Sequence, residues 1–83
     1  GGGISKGDTV QLNDKGKYTY KRNKKYKQIS PEKTMTVTKY VGFDSDNNMW
    51  KVVDANDSSV SDIYFENCLT KVKTSPADTS KED

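Results

Sequence analysis

The sequence contains no histidine and a single cysteine, Cys68. Without histidine, the chain lacks the side chain that most often serves as a general base and as a metal ligand. One cysteine cannot form an intrachain disulfide or a cysteine-based metal site. We therefore expect a protein that is not an enzyme, holds no metal ion or cofactor, and resides in a reducing cytoplasm.

Long apolar runs are also missing. Apolar residues make up 30% of the 83 residues, and no stretch approaches the ~20 apolar residues that span a bilayer. No basic start precedes an apolar run, so we expect no signal peptide, and we interpret residues 1–3 as a cloning remnant. A chain of this size predicts one thin core, with no membrane contact and no cleft deep enough for a small-molecule substrate.

Alanine and arginine are scarce, whereas lysine and asparagine are abundant. Lysine and asparagine codons are rich in A and T, and alanine and most arginine codons are rich in G and C. The composition therefore predicts an AT-rich genome, such as that of a bacteriophage or a low-GC bacterium.

Much of the chain alternates apolar and polar residues, which is the pattern of half-buried β-strands. Val10 and Leu12, for example, alternate with polar neighbours. The pattern predicts an all-β fold whose five strands cover residues 8–13, 35–43, 49–54, 59–66 and 70–73.

Helix signals are sparse. We expect single turns after Ser30 and around Asn67, a turn over residues 13–16, and an irregular or hairpin segment over 16–29. Residues 74–83 lack large apolar side chains and predict a disordered tail, which leaves 4–73 as the single domain.

The expected core combines apolar residues from every strand. Tyr40 and Tyr64 are assigned to outer faces, Cys68 is expected as a small buried residue, and Val53 replaces Val52 if the register shifts by one. The predicted core residues are Ile4, Val10, Leu12, Val37, Val41, Trp50, Val52, Ile63, Phe65, Leu69 and Val72.

The first and last parts of this domain carry distinctive sequences. Residues 4–12 read ISKGDTVQL, and residues 63–72 read IYFENCLTKV. The first resembles the opening strand of SH3-like barrels, in particular the KOW-type and related small barrels. The second is similar to their fourth strand, short 3₁₀ turn and last strand. The chain departs from KOW domains in lacking a glycine-rich turn after the second strand.

The resemblance covers roughly residues 5–73. It implies a small five-stranded SH3-like barrel with a long basic first loop over 14–34. Barrels of this family commonly bind nucleic acid or other proteins, and the resemblance implies one of these roles here.

Charge is strongly segregated along the chain. Residues 15–33 contain eight basic residues and one acidic residue, a net charge of +7, whereas the rest of the chain carries −5. Three tyrosines, Tyr18, Tyr20 and Tyr26, are interleaved with the lysines. If this segment is extended, Tyr18, Tyr20 and Arg22 lie on one face.

Lysines neutralise phosphates and tyrosine rings stack on unpaired bases. We therefore predict non-catalytic binding of DNA or RNA. Sequence selectivity should be weak, because base-edge recognition is mainly a task for arginine. The predicted contact residues are Lys17, Tyr18, Tyr20, Lys21, Arg22, Lys24, Lys25, Tyr26 and Lys27.

Two other interpretations of the basic segment stay open. A protein-interaction module, for example a viral factor docking on a host protein, would use the same lysines against an acidic partner surface. A solvated loop that keeps a small domain soluble would also be lysine-rich. The acidic residues are interpreted as either a binding face or ordinary surface charge; they are Asp44, Asp46, Asp54, Asp57, Asp62 and Glu66.

Overall fold

The computed structural model describes residues 3–22 and 29–72. Its elements, in chain order, are β1 (Thr9–Leu12), α1 (Asp14–Arg22), β2 (Met35–Asp44), β3 (Asn47–Asp54), β4 (Asp57–Phe65), the 3₁₀ helix η1 (Glu66–Cys68) and β5 (Leu69–Lys71). The strands form one antiparallel sheet in the order β4-β3-β2-β1-β5. The predicted β class and its five strands are confirmed. The predicted tail, 74–83, lies outside the described residues.

Two tight turns make β2, β3 and β4 a continuous meander. Ser45 and Asp46 join β2 to β3 with φ angles of 54° and 61°, the paired positive values of a type I′ hairpin. In the second turn, the Asp54 carboxylate accepts a hydrogen bond from the Asn56 amide at 2.8 Å. Asp and Asn are frequent in both turns because they tolerate the backbone conformations that such turns need.

One buried cluster draws residues from α1 and all five strands. Six predicted core residues are buried, namely Ile4, Val10, Leu12, Val37, Val52 and Leu69. Trp50 and Phe65 are partly buried against the same cluster. The predicted burial of Cys68 is confirmed, and the burial raises the pKa of its thiol. The core residues that the sequence pattern did not assign are Tyr20, Ile29, Met35 and Tyr64.

The predicted face of β4 is wrong. Ile63 is 47% exposed and was expected in the core, whereas Tyr64 is 1% exposed and was expected outside. Because side chains alternate along a strand, assigning one residue to the wrong face inverts the whole strand. The buried face carries Asp62 and Tyr64, and the Tyr64 hydroxyl donates to the Asp62 carboxylate at 3.0 Å, which satisfies both polar groups.

Val41 is also exposed, at 39%, and not in the core as predicted. The β2–β3 pairing shifts register between Val37 and Lys39 and again between Tyr40 and Gly42. Each such irregularity leaves an extra residue on one strand and changes the face of those that follow. Strict alternation therefore does not predict which side chains of β2 face the core beyond Val37.

Residues 14–22 form a helix, so the predicted turn over 13–16 and the irregular or hairpin segment over 16–29 are wrong here. Asn13 caps the helix: its Oδ1 accepts from the Gly16 amide and its backbone oxygen accepts from the Lys17 amide, both at 2.8 Å. The negative charge of Asp14 in the first turn interacts favourably with the helix dipole and stabilises the helix. The same Asn and Asp residues also favour turns, which is why the sequence was ambiguous.

Gly16 lets α1 pack directly on η1. A Cβ at this position would stand 2.8 Å from Leu12 Cδ2 and would also collide with the backbone oxygen of Cys68. Those neighbours are a core side chain and a backbone atom, so neither moves aside easily. Glycine lowers helix propensity in general, but here it is the residue that permits the contact.

We predict that Gly16→Ala lowers the free energy of unfolding by about 1–3 kcal/mol, because overpacking outweighs the gain in helix propensity. Thr19→Ala, on the exposed side of the same helix, should change it by less than about 0.5 kcal/mol. Urea unfolding followed by circular dichroism measures both values. Equal or greater stability of Gly16→Ala would show that α1 does not pack as described.

Candidate nucleic-acid interface

The predicted nucleic-acid contacts belong to the segment that leaves β1 as α1 and returns at Ile29. Lys24, Lys25, Tyr26 and Lys27 lie outside the described residues. Lys21 and Arg22 form the last two positions of the α1 backbone. The described side chains of the segment are therefore those of residues 15–20 and 29–33.

Tyr20 fixes the helical end of this segment to the core. It is 6% exposed, its ring lies edge-on to Tyr64 at 4.5 Å between centroids, and its hydroxyl accepts from the Phe65 amide at 3.3 Å. The segment is helical here and not extended, so Tyr18 and Tyr20 do not share one face: residues two apart on a helix point in different directions. Tyr18 is 63% exposed. Tyr20 packs in the core, so its ring is not available for base stacking.

Asp62 holds the returning end of the segment. Its Oδ2 accepts from the Ile29 amide at 3.4 Å and from the Tyr64 hydroxyl at 3.0 Å, and the residue is 9% exposed. Ile29 itself is buried in the core. Both ends of residues 21–28 are thus bonded to β4, one through Tyr20 and the other through Asp62.

The two buried tyrosines have perturbed acidities. Burial raises the pKa of Tyr20, and burial followed by the negative charge of Asp62 raises the pKa of Tyr64. Both effects disfavour a phenolate in this apolar, acidic environment. Loss of a proton from either phenol would therefore weaken the cluster.

Lys17 ties α1 to the turn before β2. Its Nζ lies 3.6 Å from Glu32 Oε1, and both side chains are largely exposed. Exposed pairs of this kind contribute about 0–1 kcal/mol. Glu32 is the only acidic residue of the basic segment. Its carboxylate therefore competes with a phosphate for Lys17, which is one of the predicted nucleic-acid contacts.

A surface cavity of about 300 Å³ opens beside α1, between that helix, η1 and the β2–β3 turn. Its polar groups include Lys15, Thr19, Asn47 and Asn67, and Phe65 supplies an aromatic wall. An ammonium, a hydroxyl and two amides match the acceptor oxygens of a phosphate or a sugar. The sequence did not identify Asn47 and Asn67, because they come from separate elements, the start of β3 and η1.

Acidic residues limit the directions from which an anion can approach. Asp44 and Asp46 are exposed beside the cavity, in the turn that contributes Ser45. Asp54 and Asp62 are buried and hydrogen-bonded within the fold. Half-buried Glu66 accepts from Trp50 Nε1 at 2.8 Å. These three therefore stabilise the structure and do not form a binding face.

Among the described residues, no group of three or more Cys, Asp or Glu side chains is arranged to hold a metal ion. Within 3–22 and 29–72, the helices are too short and too polar to span a lipid bilayer.

We predict that stability falls steeply above about pH 10, where tyrosine in the unfolded chain loses its proton. The sign follows from proton binding. Tyr20 and Tyr64 have raised pKa values in the fold, so above this pH the unfolded chain holds fewer protons than the folded chain and unfolding is favoured.

The measurement is the melting temperature of the protein and of Tyr64→Phe between about pH 8 and 11. Tyr64→Phe should start lower, because the Asp62 carboxylate loses a donor, and should then decline less steeply. Parallel curves would show that the Tyr64 phenol does not titrate differently in the fold.

Comparison with known proteins finds no protein family, no curated protein and no solved structure that matches this chain.

Proposed function

We propose that this protein is a non-catalytic nucleic-acid-binding module that contacts the backbone of DNA or RNA with its basic segment. The observation that carries the proposal is the concentration of a net charge of +7 in residues 15–33, a segment that is hydrogen-bonded to β4 at Tyr20 and at Ile29. A localised positive field attracts a polyanion more strongly than the same charges scattered over the surface.

The described part of the segment supports a backbone-binding role. Lys15 and Tyr18 are exposed on α1, and the cavity beside Lys15 offers hydroxyl and amide groups from Thr19, Asn47 and Asn67. Groups of this kind bind phosphate and sugar oxygens and position a strand. Stacking of bases is assigned to Tyr18 and Tyr26, and Tyr20 supports the helix from the core.

Lysine chemistry sets the expected mode of binding. An ammonium is a compact point charge that pairs with phosphate, whereas an arginine fork is suited to bidentate recognition of guanine. The segment holds seven lysines and one arginine, so affinity should depend little on base sequence. Affinity should fall steeply with salt, because bound lysines release counterions from the nucleic acid.

The same proposal includes a fold assignment, an SH3-like barrel related to the KOW-type domains. The supporting features are the β2–β3–β4 meander, the 3₁₀ helix before the last strand, and β1 lying between β2 and β5. Val10, Val37, Val52, Tyr64 and Leu69, one from each strand, share a single buried cluster. A sheet whose two edge strands contribute to one core must curve around it, as a small barrel does.

The test is fluorescence anisotropy with labelled single- and double-stranded DNA and RNA of mixed sequence at two salt concentrations. Replacing Lys24, Lys25 and Lys27 with glutamate reverses charge in the centre of the basic segment. We expect at least about a tenfold loss of affinity at low salt, and the wild-type affinity should fall with rising salt.

The matched control replaces Lys6, Lys73 and Lys81 with glutamate, which makes the same change in net charge outside the basic segment. This control should keep affinity within a few-fold, and melting temperatures confirm that both variants fold. The proposal fails if no oligonucleotide binds at low salt, or if the two triple variants lose affinity equally.

A further inference from the structure

The side of the meander that faces away from the core carries an apolar patch. Four side chains, Val41, Met49, Ile63 and Phe65, line a shallow groove of about 380 Å³ there. We call these four residues the outer patch. Val41 and Ile63 are 39% and 47% exposed, and Met49 and Phe65 are half-buried. The groove is a consequence of the β2 irregularities and the β4 face described above.

Strand register shows how the outer patch is built. Met49 of β3 lies directly opposite Phe65 of β4, and Lys51 lies opposite Ile63. Directly opposed residues in an antiparallel pair project from the same face. On the β2 side, Met49 is opposite Gly42, where an added Cβ would meet open space. Met49 therefore has β4 side chains on one flank, and on the other it has Gly42, which adds no side chain, and the neighbouring Val41.

Two lysines border the outer patch on the same face. Lys39 of β2 lies directly opposite Lys51 of β3, and both are exposed. Neither forms a salt bridge with any described residue. Like charges placed directly opposite each other destabilise a sheet. A carboxylate bound between Lys39 and Lys51 would reduce their repulsion.

Charge and shape together select the occupant. An isologous contact between two copies would bring the lysine pair of each copy against the same cationic face of the other. Nucleic acid would satisfy the lysines, but its bases stack on exposed aromatic rings, and three of the four outer-patch residues are aliphatic or thioether side chains. A peptide that carries both carboxylates and apolar side chains can pair with the two lysines and fill the apolar groove at the same time.

We propose that the outer patch docks an acidic segment of a partner protein, with apolar side chains in the Met49 groove and carboxylates on Lys39 and Lys51. The proposal goes beyond nucleic-acid binding and does not rest on it, because Phe65 is the only outer-patch residue that also lines the cavity beside Lys15. It gives the small domain two faces, one for a polyanion and one for a protein.

The probe is a fluorescein-labelled decapeptide in which glutamate alternates with leucine, titrated with the full chain and followed by anisotropy. We expect a dissociation constant on the order of 10–100 µM. Two comparison peptides, with serine in place of leucine or lysine in place of glutamate, should each bind at least about tenfold more weakly. Amide chemical shifts of the unmodified protein should change at 39–42, 49–51 and 63–65.

Variants separate the two components of the surface. Lys39→Glu with Lys51→Glu should weaken the peptide at least about tenfold, as should Ile63→Ser. The charge-matched control is Lys6→Glu with Lys81→Glu. The apolar control is Phe43→Ser, which removes an exposed ring that does not line the groove. Both controls should leave peptide affinity within about twofold, and melting temperatures identify any variant that is unfolded.

Several outcomes would overturn the proposal. One is the absence of peptide binding up to about 1 mM, and another is equal binding of the three peptides. Two more would assign the surface to a different occupant: shifts at the same amides on adding a single-stranded oligonucleotide, or concentration-dependent self-association that Ile63→Ser abolishes. Failure of the proposed nucleic-acid function would appear separately, as oligonucleotides that bind no part of the protein while the peptide still binds.

Discussion

The structure depends on a buried cluster formed by Tyr20, Tyr64 and Asp62. Buried polar groups are tolerated only when they are paired. Here the Tyr64 hydroxyl donates to the Asp62 carboxylate, which also accepts from the Ile29 amide, and the Tyr20 hydroxyl accepts from the Phe65 amide. The position of this cluster determines how the basic segment is attached to the domain. It bonds the basic segment to β4 at Tyr20 and at Ile29, so that a highly charged stretch is tied to a small core that contains few apolar residues.

Strand positions could be predicted from the sequence, because alternation and turn residues are local signals that tertiary contacts here reinforce. The helix could not, since Gly16 and Tyr20 are its only buried residues among those whose side chains the structure describes, too short a pattern to establish a helical period. The exposure of Val41 and the burial of Tyr64 were also hidden. The exposure of Val41 depends on strand irregularities, and the burial of Tyr64 depends on a hydrogen bond to Asp62. Neither feature changes the alternation of apolar and polar residues in the sequence.

The candidate sites were partly predictable for a similar reason. A run of lysines is contiguous in sequence, so the basic segment was evident without a structure. The cavity beside Lys15 and the outer patch are assembled from separate turns and strands, and they appear only once the chain is folded. The described residues thus form two kinds of surface: a polar cavity that includes Lys15 of α1, and an apolar groove bordered by the Lys39–Lys51 pair.

Solution NMR of the unmodified protein tests the tethering of the basic segment most directly. The account predicts nuclear Overhauser contacts between the rings of Tyr20 and Tyr64, together with slow hydrogen exchange at the amides of Ile29 and Phe65. Absence of the ring contacts, with both amides exchanging as fast as those of an unfolded chain, would contradict it. The basic segment would then be attached to the domain only through the chain itself.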